Sequence, residues 1–246
     1  NVLTLPSNKI IFDSKINKFD IKKIDYGDIF GRSIENKNIN NIKHLRNKNI
    51  LVTGGAGSIG SELCKIISKT NINKLVIIDQ NETALFYLSK QFKIIKPEVK
   101  FILGDITNSE TMKNIFVNER ITHVYHAAAY KHVNLSEKNI NECVYNNIFG
   151  IINVIKSIPK NLESFTLIST DKAAAPSSVM GMTKRVSEII CQNELHKNKT
   201  KTRLSIVRFG NVFGSNGSAI QIFLKQIENR EPITITDKKV ERYFMT

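Results

Sequence analysis

The sequence predicts an α/β fold: a doubly wound parallel sheet with helices on both faces, an N-terminal arm and the start of a smaller substrate lobe. Three observations predict it. Short apolar strands alternate with amphipathic helices from about Lys48 onward. Those strands are apolar almost throughout, as strands covered on both faces are. A glycine-rich turn joins the first strand to the first helix. With 246 residues and 41% hydrophobic content, the chain can bury one large core. No internal repeat or low-complexity tract competes.

The elements follow in order. Residues 1–47 are rich in Asn, Lys and Ile, show little periodicity, and read as a connecting arm whose one distinctive patch is "YGDIFGR", Tyr26–Arg32. "NILVTGG" is the first strand. "SIGSELCKIISK" has helical period, with Ile59, Leu63, Ile66 and Ile67 on one face. "KLVIID" is a strand, "ETALFYLSKQFKII" a helix, "VKFILGD" a strand, and Ser109–Val117 a short helix. "HVYHAAA" is the fourth strand, Ile140–Ser157 a long helix, "SFTLIST" the fifth strand, Ser178–His196 a helix and "RLSIVRFGNV" the sixth strand. The boundaries read as arm 1–47, nucleotide domain 48–213, and an incomplete lobe from 214 to 246. The chain does not begin with Met and stops at "RYFMT", so it reads as a piece of a longer protein.

"TGGAGSIG" (Thr53–Gly60) places Gly54, Gly57 and Gly60 in GxxGxxG spacing at a strand-to-helix turn. Glycines there allow a tight turn and close approach of a pyrophosphate. The helix N-terminus at Ser58, Ile59 and Gly60 then offers N–H groups and a positive dipole end. Asp79 closes the next strand, where a carboxylate either accepts hydrogen bonds from ribose hydroxyls or simply ends a strand. Set beside the glycine loop, the first reading is preferred, and it favours NAD over NADP because the carboxylate repels a 2′-phosphate. Asp105 and Ile106 follow the third strand and sit beside the adenine in this Rossmann-like scheme. Ala127, Ala128 and Ala129 are small enough to let a cofactor lie against the sheet, or to let a helix pack closely.

"STDKAAAPSSVMGMTKR" (Ser169–Arg185) has the layout of a short-chain dehydrogenase active site, with Met180 where those enzymes carry a tyrosine four residues before the lysine, here Lys184. Together with "YKHV" (Tyr130–Val133), "VRFGNVFGSNGS" (Val207–Ser218) and "RYFMT" (Arg242–Thr246), it resembles the large membrane-associated nucleotide-sugar 4,6-dehydratases of the extended short-chain dehydrogenase/reductase superfamily. Members of that family carry Met at this position. Two spots depart from its pattern: Asn134 stands where Pro is usual, and "AAAPSS" differs from the usual wording.

The resemblance implies conversion of UDP-N-acetylglucosamine to its 4-keto-6-deoxy product with bound NAD, for bacterial surface glycans. It implies roles for named residues. Asp171 is the acid for the C6 hydroxyl, Lys172 the C5 base, Thr170 a partner of the C4 oxygen, Lys184 a nicotinamide-ribose ligand, and Met180 a packing residue beside the sugar. Tyr130 and His132 become substrate contacts. Asn147 orients the site, or is a buried Asn satisfying backbone. Asn211 and Ser218 contact the UDP diphosphate, with Arg242 as charge partner. The resemblance further implies a homo-oligomer anchored through segments outside this chain, with its catalytic domain at the cytoplasmic face of the inner membrane.

Other classes are weaker. A UDP-sugar 4-epimerase needs the same cofactor but normally the tyrosine, and a non-catalytic NAD module has no need of Asp171, Lys172 and Lys184. The net charge of +14 comes from lysines spread along the chain, not from a basic block with interleaved aromatics, so it suits a diphosphate or an anionic membrane face better than nucleic acid. No apolar run is long enough to span a bilayer. Cys64, Cys143 and Cys191 lie far apart, without metal-ligand spacing, and read as reduced buried thiols.

Overall fold

A computed structural model of the chain describes residues 3–4, 22–23, 42–92, 97–197, 201–215, 217–235, 239, 241 and 243–245. Two compact units divide the chain: 38–210, and 211–246 together with 1–37. The patch Tyr26–Arg32 lies outside the described residues.

The larger unit is built on six parallel strands: β1 (Asn49–Thr53), β2 (Lys74–Asp79), β3 (Glu98–Leu103), β4 (His123–His126), β5 (Ser164–Thr170) and β6 (Arg203–Phe209). They lie in the order β3-β2-β1-β4-β5-β6. The order reverses between β1 and β4, and the carboxyl ends flanking that switch point form the crevice where such sheets bind ligands.

Helices alternate with the strands. They are α1 (Ser58–Ser68), α2 (Glu82–Ser89), α3 (Ser109–Asn118), α4 (Val133–Lys138), α5 (Ile140–Val144), α6 (Gly150–Ser157) and α7 (Val179–Lys197). Side chains of a strand alternate between faces, and the two cores divide on that rule. Ile50, Val52, Leu75 and Ile77 pack with Cys64 and Ile67 of α1 and Leu85 and Leu88 of α2. Leu51, Val76, Ile78, Val124, Phe165 and Leu167 pack with α3, α6 and α7 on the other face.

Four details differ from the sequence reading. The run Ile140–Ser157 is helical throughout but passes through a π-helical segment, Tyr145–Phe149, between α5 and α6. Helix α4 was not anticipated; it is too short to show a period. Strands β3 and β6 are partly exposed, because each has a neighbour on one side only. The sixth strand stops at Phe209. Asn211–Val212 (β7) belongs to the second unit, where it pairs in parallel with Phe244–Met245 (β8), followed in sequence from β7 by α8 (Ala219–Glu228). In that same unit Leu3–Thr4 and Lys22–Lys23 pair antiparallel. Among the described residues, no helix is long and apolar enough to cross a membrane.

Candidate active site

The glycine loop shapes the crevice at β1. Gly54 has φ +64°, and a Cβ there would stand 2.6 Å from the Ala128 backbone. The loop therefore rests directly on the segment after β4, where Ala127 N–H donates to the Thr53 carbonyl at 3.0 Å. Gly60 is equally confined, since its Cβ would lie 2.8 Å from Gly55 Cα. Gly57 is different. A Cβ there would meet only the Gly54 carbonyl oxygen, at 3.2 Å, and otherwise open space. Asn81 and Asn108 cap α2 and α3 with their side chains, whereas α1 starts from Gly57 with no side-chain cap. The first turn of α1, with Ser58 and Ile59, thus presents its backbone to a space that a side chain at 57 would fill, which suits an anionic ligand.

Asp79 lies at the same edge. Its Oδ2 accepts from Ala56 N–H at 2.9 Å and its Oδ1 from Asn81 N–H at 2.9 Å. The carboxylate therefore braces the glycine loop as well as ending β2. Asp105 accepts from Thr107 N–H at 2.8 Å, and Gly104 N–H donates to the Asp79 carbonyl, so the two acidic positions are neighbours. Ile106 differs from expectation: its side chain is buried in the core, where a Cβ on Gly150 would press on it.

Beyond Ala129 the chain turns outward, and Tyr130, Lys131 and His132 are exposed. Tyr130 Oη accepts from Gln80 Nε2 at 3.4 Å, across the crevice from the end of β2. That contact sets the Tyr130 ring beside the residue that follows β2. Asn147, in the π segment, is 3% exposed. Its Oδ1 accepts from Tyr130 N–H (2.8 Å) and Asn146 Nδ2 (2.9 Å), and its Nδ2 donates to the Tyr130 carbonyl (3.1 Å) and Thr183 Oγ1 (3.0 Å). With both ends of the amide taken up, Asn147 holds the backbone of Tyr130, the second of its two sequence readings, and its amide has no capacity left to grip a sugar as a substrate-binding residue would.

The residues expected to handle protons meet on the turn after β5. Thr170 Oγ1 donates to Asp171 Oδ1 at 2.9 Å, and Lys172 Nζ donates to the same oxygen at 3.0 Å. Burial opposes charge on Asp171, but the hydrogen bonds from Lys172 and Thr170 prevail and hold its carboxyl below the usual carboxylate range. Met180 is 5% exposed and Lys184 6%. Lys184 Nζ donates to the Ile168 carbonyl at 2.6 Å, and burial brings its ammonium down to about 8. His126 bonds Thr53 Oγ1 at 2.8 Å, linking β4 to β1, and burial beside Lys184 takes its imidazole down to about 3, so it stays neutral.

Some residues at the site were not singled out from sequence. Glu188 is buried and accepts from Ser169, Arg208 and Arg185; burial works against its charge, but these partners hold the carboxyl at about 2. The helical period carried the signal: Met180, Lys184, Glu188, Cys191 and Leu195 recur on one face of α7, and all are buried. Gly181 is another, because its Cβ would stand 2.7 Å from the Lys172 carbonyl oxygen.

Three expected substrate residues lie outside this unit. Asn211 Nδ2 donates to the Tyr243 carbonyl at 3.0 Å. Ser218 is the N-cap residue of α8, yet its Oγ makes no cap bond and, among the described residues, is buried without a hydrogen-bond partner. Arg242 lies outside the described residues.

A parallel sheet in this order, with a glycine loop at its switch point and an Asp-Lys turn after the fifth strand, defines a dinucleotide-binding α/β protein of the short-chain dehydrogenase/reductase type. Residues 50–246 match the model of the polysaccharide biosynthesis protein family, and the chain belongs to that family. It is 38% identical to the capsular polysaccharide biosynthesis protein CapD of Staphylococcus aureus over 98% of this chain and 41% of that protein. It is 35% identical to a UDP-N-acetylglucosamine 4,6-dehydratase (inverting) of Campylobacter jejuni over 81% of this chain and 60% of that protein. The chain thus spans about half the length of these relatives. Among solved structures, Pen from Bacillus thuringiensis superposes with TM-score 0.77 at 32% identity, covering 82% of this chain and 64% of that one. The Thermus thermophilus UDP-glucose 4-epimerase, solved in complex with NAD, shares the fold with TM-score 0.68 at 21% identity, over 80% of this chain and 70% of that one.

Proposed function

We propose that this chain is the catalytic unit of an NAD-dependent UDP-N-acetylglucosamine 4,6-dehydratase serving surface-glycan synthesis. The observation that carries the reading is the Thr170–Asp171–Lys172 turn at the carboxyl end of β5, with the carboxylate and the ammonium 3.0 Å apart. The named relatives support the substrate class. The open space at Gly57, the uncapped start of α1 and the neighbouring Asp79 suit NAD, and the charge of Asp79 disfavours a 2′-phosphate.

When bound, NAD supplies the acceptor that takes hydride from C4 of the sugar and later returns it to C6. The chain's own residues handle the protons. Thr170 bonds the C4 oxygen and passes its proton toward solvent, which half-exposed Asp171 reaches. At rest Asp171 is a carboxylate and Lys172 an ammonium. Transfer of one proton along their shared hydrogen bond yields a neutral acid beside a neutral amine, the pair that elimination requires. Lys172 then removes the C5 proton, made acidic by the C4 ketone, while Asp171 protonates the departing C6 hydroxyl. The pair returns to its ionised form, Lys172 gives a proton back to C5, and solvent restores the last proton. Met180 packs beside the sugar and takes no part in proton transfer.

The reading assigns Asn211 and Ser218 to the UDP diphosphate, with Arg242 as charge partner. The reading extends to a homo-oligomer at the cytoplasmic face of the inner membrane, its anchor assigned to segments outside this chain.

Incubation with UDP-N-acetylglucosamine tests the activity. A dehydratase gives a product lighter by one water. An epimerase gives a product of unchanged mass, and that outcome would replace this reading.

A further inference from the structure

Thr170, Asp171 and Lys172 bond to one another. Those bonds shape the turn on the end of β5, where Ser169 and Thr170 pair with Arg208 and Phe209 of β6. A further, side-chain tie comes from α7. Glu188 Oε1 accepts from Ser169 Oγ at 2.6 Å, and Ser169 immediately precedes Thr170. Arg208 of β6 forks onto the same carboxylate, Nε to Oε1 at 2.9 Å and Nη2 to Oε2 at 2.7 Å, while Arg185 Nη1 reaches Oε2 at 3.0 Å. One turn back along α7, Lys184 holds the Ile168 carbonyl. A turn further back, Gly181 lies directly against the Lys172 carbonyl. Helix α7 therefore grips residues 168, 169 and 172, on both sides of the reacting pair.

Burying a carboxylate is costly unless its partners demand it. Both arginines reach solvent, with side chains 38% and 42% exposed, and water can satisfy them if the carboxylate is removed. Ser169 is 4% exposed and has no such recourse. The group that depends on Glu188 is the hydroxyl at the root of the catalytic turn.

We propose that Glu188 is a positioning residue: by holding Ser169 it fixes the Thr170–Lys172 turn in the register that presents Asp171 and Lys172 to the sugar. The activity half of this proposal rests on the dehydratase reading; the structural half does not. The test compares Glu188→Gln, Ser169→Ala, their double variant and Ser169→Thr, which keeps the hydroxyl. Because a misplacement of about 1 Å can cost ~100-fold in rate, Glu188→Gln and Ser169→Ala are expected to lower kcat by ~10- to 100-fold, with KM and NAD affinity within about threefold of the parent. The double variant should fall no further than the worse single one, since the two residues act as a unit. Ser169→Thr should retain most activity. Amide exchange of residues 170–174 should quicken in Glu188→Gln, with β1 and β4 unchanged.

Unchanged kcat, losses that multiply in the double variant, or exchange that rises throughout the chain would each overturn the proposal. If Glu188→Gln does not fold, Ser169→Ala deletes only a hydroxyl and carries the same comparisons. A parent protein that does not dehydrate UDP-N-acetylglucosamine overturns the dehydratase reading instead. Exchange at 170–174 then decides the positioning role alone, and unchanged exchange there defeats it.

Discussion

Met180 is buried, its side chain carries no exchangeable proton, and it lies in the first turn of α7, next to Gly181, which packs against the Lys172 carbonyl. Leu has nearly the same volume, and such exchanges usually cost under ~1.5 kcal/mol. Met180→Leu should therefore keep substantial activity. Asp171→Asn keeps the shape but cannot pass a proton, and acid–base groups contribute ~100- to 10,000-fold, so kcat should fall within that range. Steady-state assays of the two variants side by side separate packing from chemistry. The glycines allow a second contrast. Gly54→Ala forces a Cβ into the Ala128 backbone at positive φ and should both destabilise the fold and abolish NAD binding. Gly57→Ala meets only the Gly54 carbonyl oxygen, at 3.2 Å, so its melting temperature should fall far less than that of Gly54→Ala while NAD affinity drops. Calorimetric melting with and without NAD reads both effects, and equal behaviour of the two variants would count against a phosphate site at Gly57.

Two elements hold the site from behind, and each makes a prediction. In the π segment, Asn147 satisfies both backbone groups of Tyr130. Asn147→Ala leaves buried polar groups unpaired at ~1–3 kcal/mol each, so a loss of about 2–4 kcal/mol is expected. At ~2–4 °C per kcal/mol for a domain of this size, thermal melting should show a drop of at least several degrees. On α7, burial raises the Glu188 carboxyl, but Arg208, Ser169 and Arg185 together bring it down from 4.5 to about 2. A carboxylate depressed in the folded state lends stability that is complete above its unfolded value and is lost as pH falls through the folded one. Between those limits the parent protein should lose melting temperature faster than Glu188→Gln, the other carboxylates being common to both. Parallel pH-melting curves would contradict the assignment of an ionised Glu188.

At the scale of the whole molecule, the sheet was legible because its strands are continuous apolar runs and its helices periodic. The glycine loop was legible because only glycine tolerates Gly54's backbone against Ala128. Asp79 was visible as an acidic strand end, but its hold on Ala56 was not, since that bond depends on where the loop folds back. Ile106 could not be placed as core from local pattern, because its burial is set by the packing of α6, and the choice between the two readings of Asn147 needed Tyr130 and Thr183 in place. Glu188 was written in the period of α7, yet an acidic residue on a buried face became meaningful only when Arg208 arrived from β6. The end of the sixth strand was marked by Gly210 and Asn211, but the apolar residues on either side, Phe209 and Val212, let the run read as one strand across the change of unit. What unites these features is one claim, that a Lys-Asp pair performs elimination where a tyrosine is missing. The most direct test is to incubate the protein with UDP-N-acetylglucosamine in deuterated water and analyse the product by mass and proton spectra. The account predicts a 4-keto-6-deoxy sugar that has lost one water and carries solvent deuterium at C5, formed by the parent protein and not by Lys172→Met. An epimer of unchanged mass, or a dehydrated product made equally well by Lys172→Met, would contradict it.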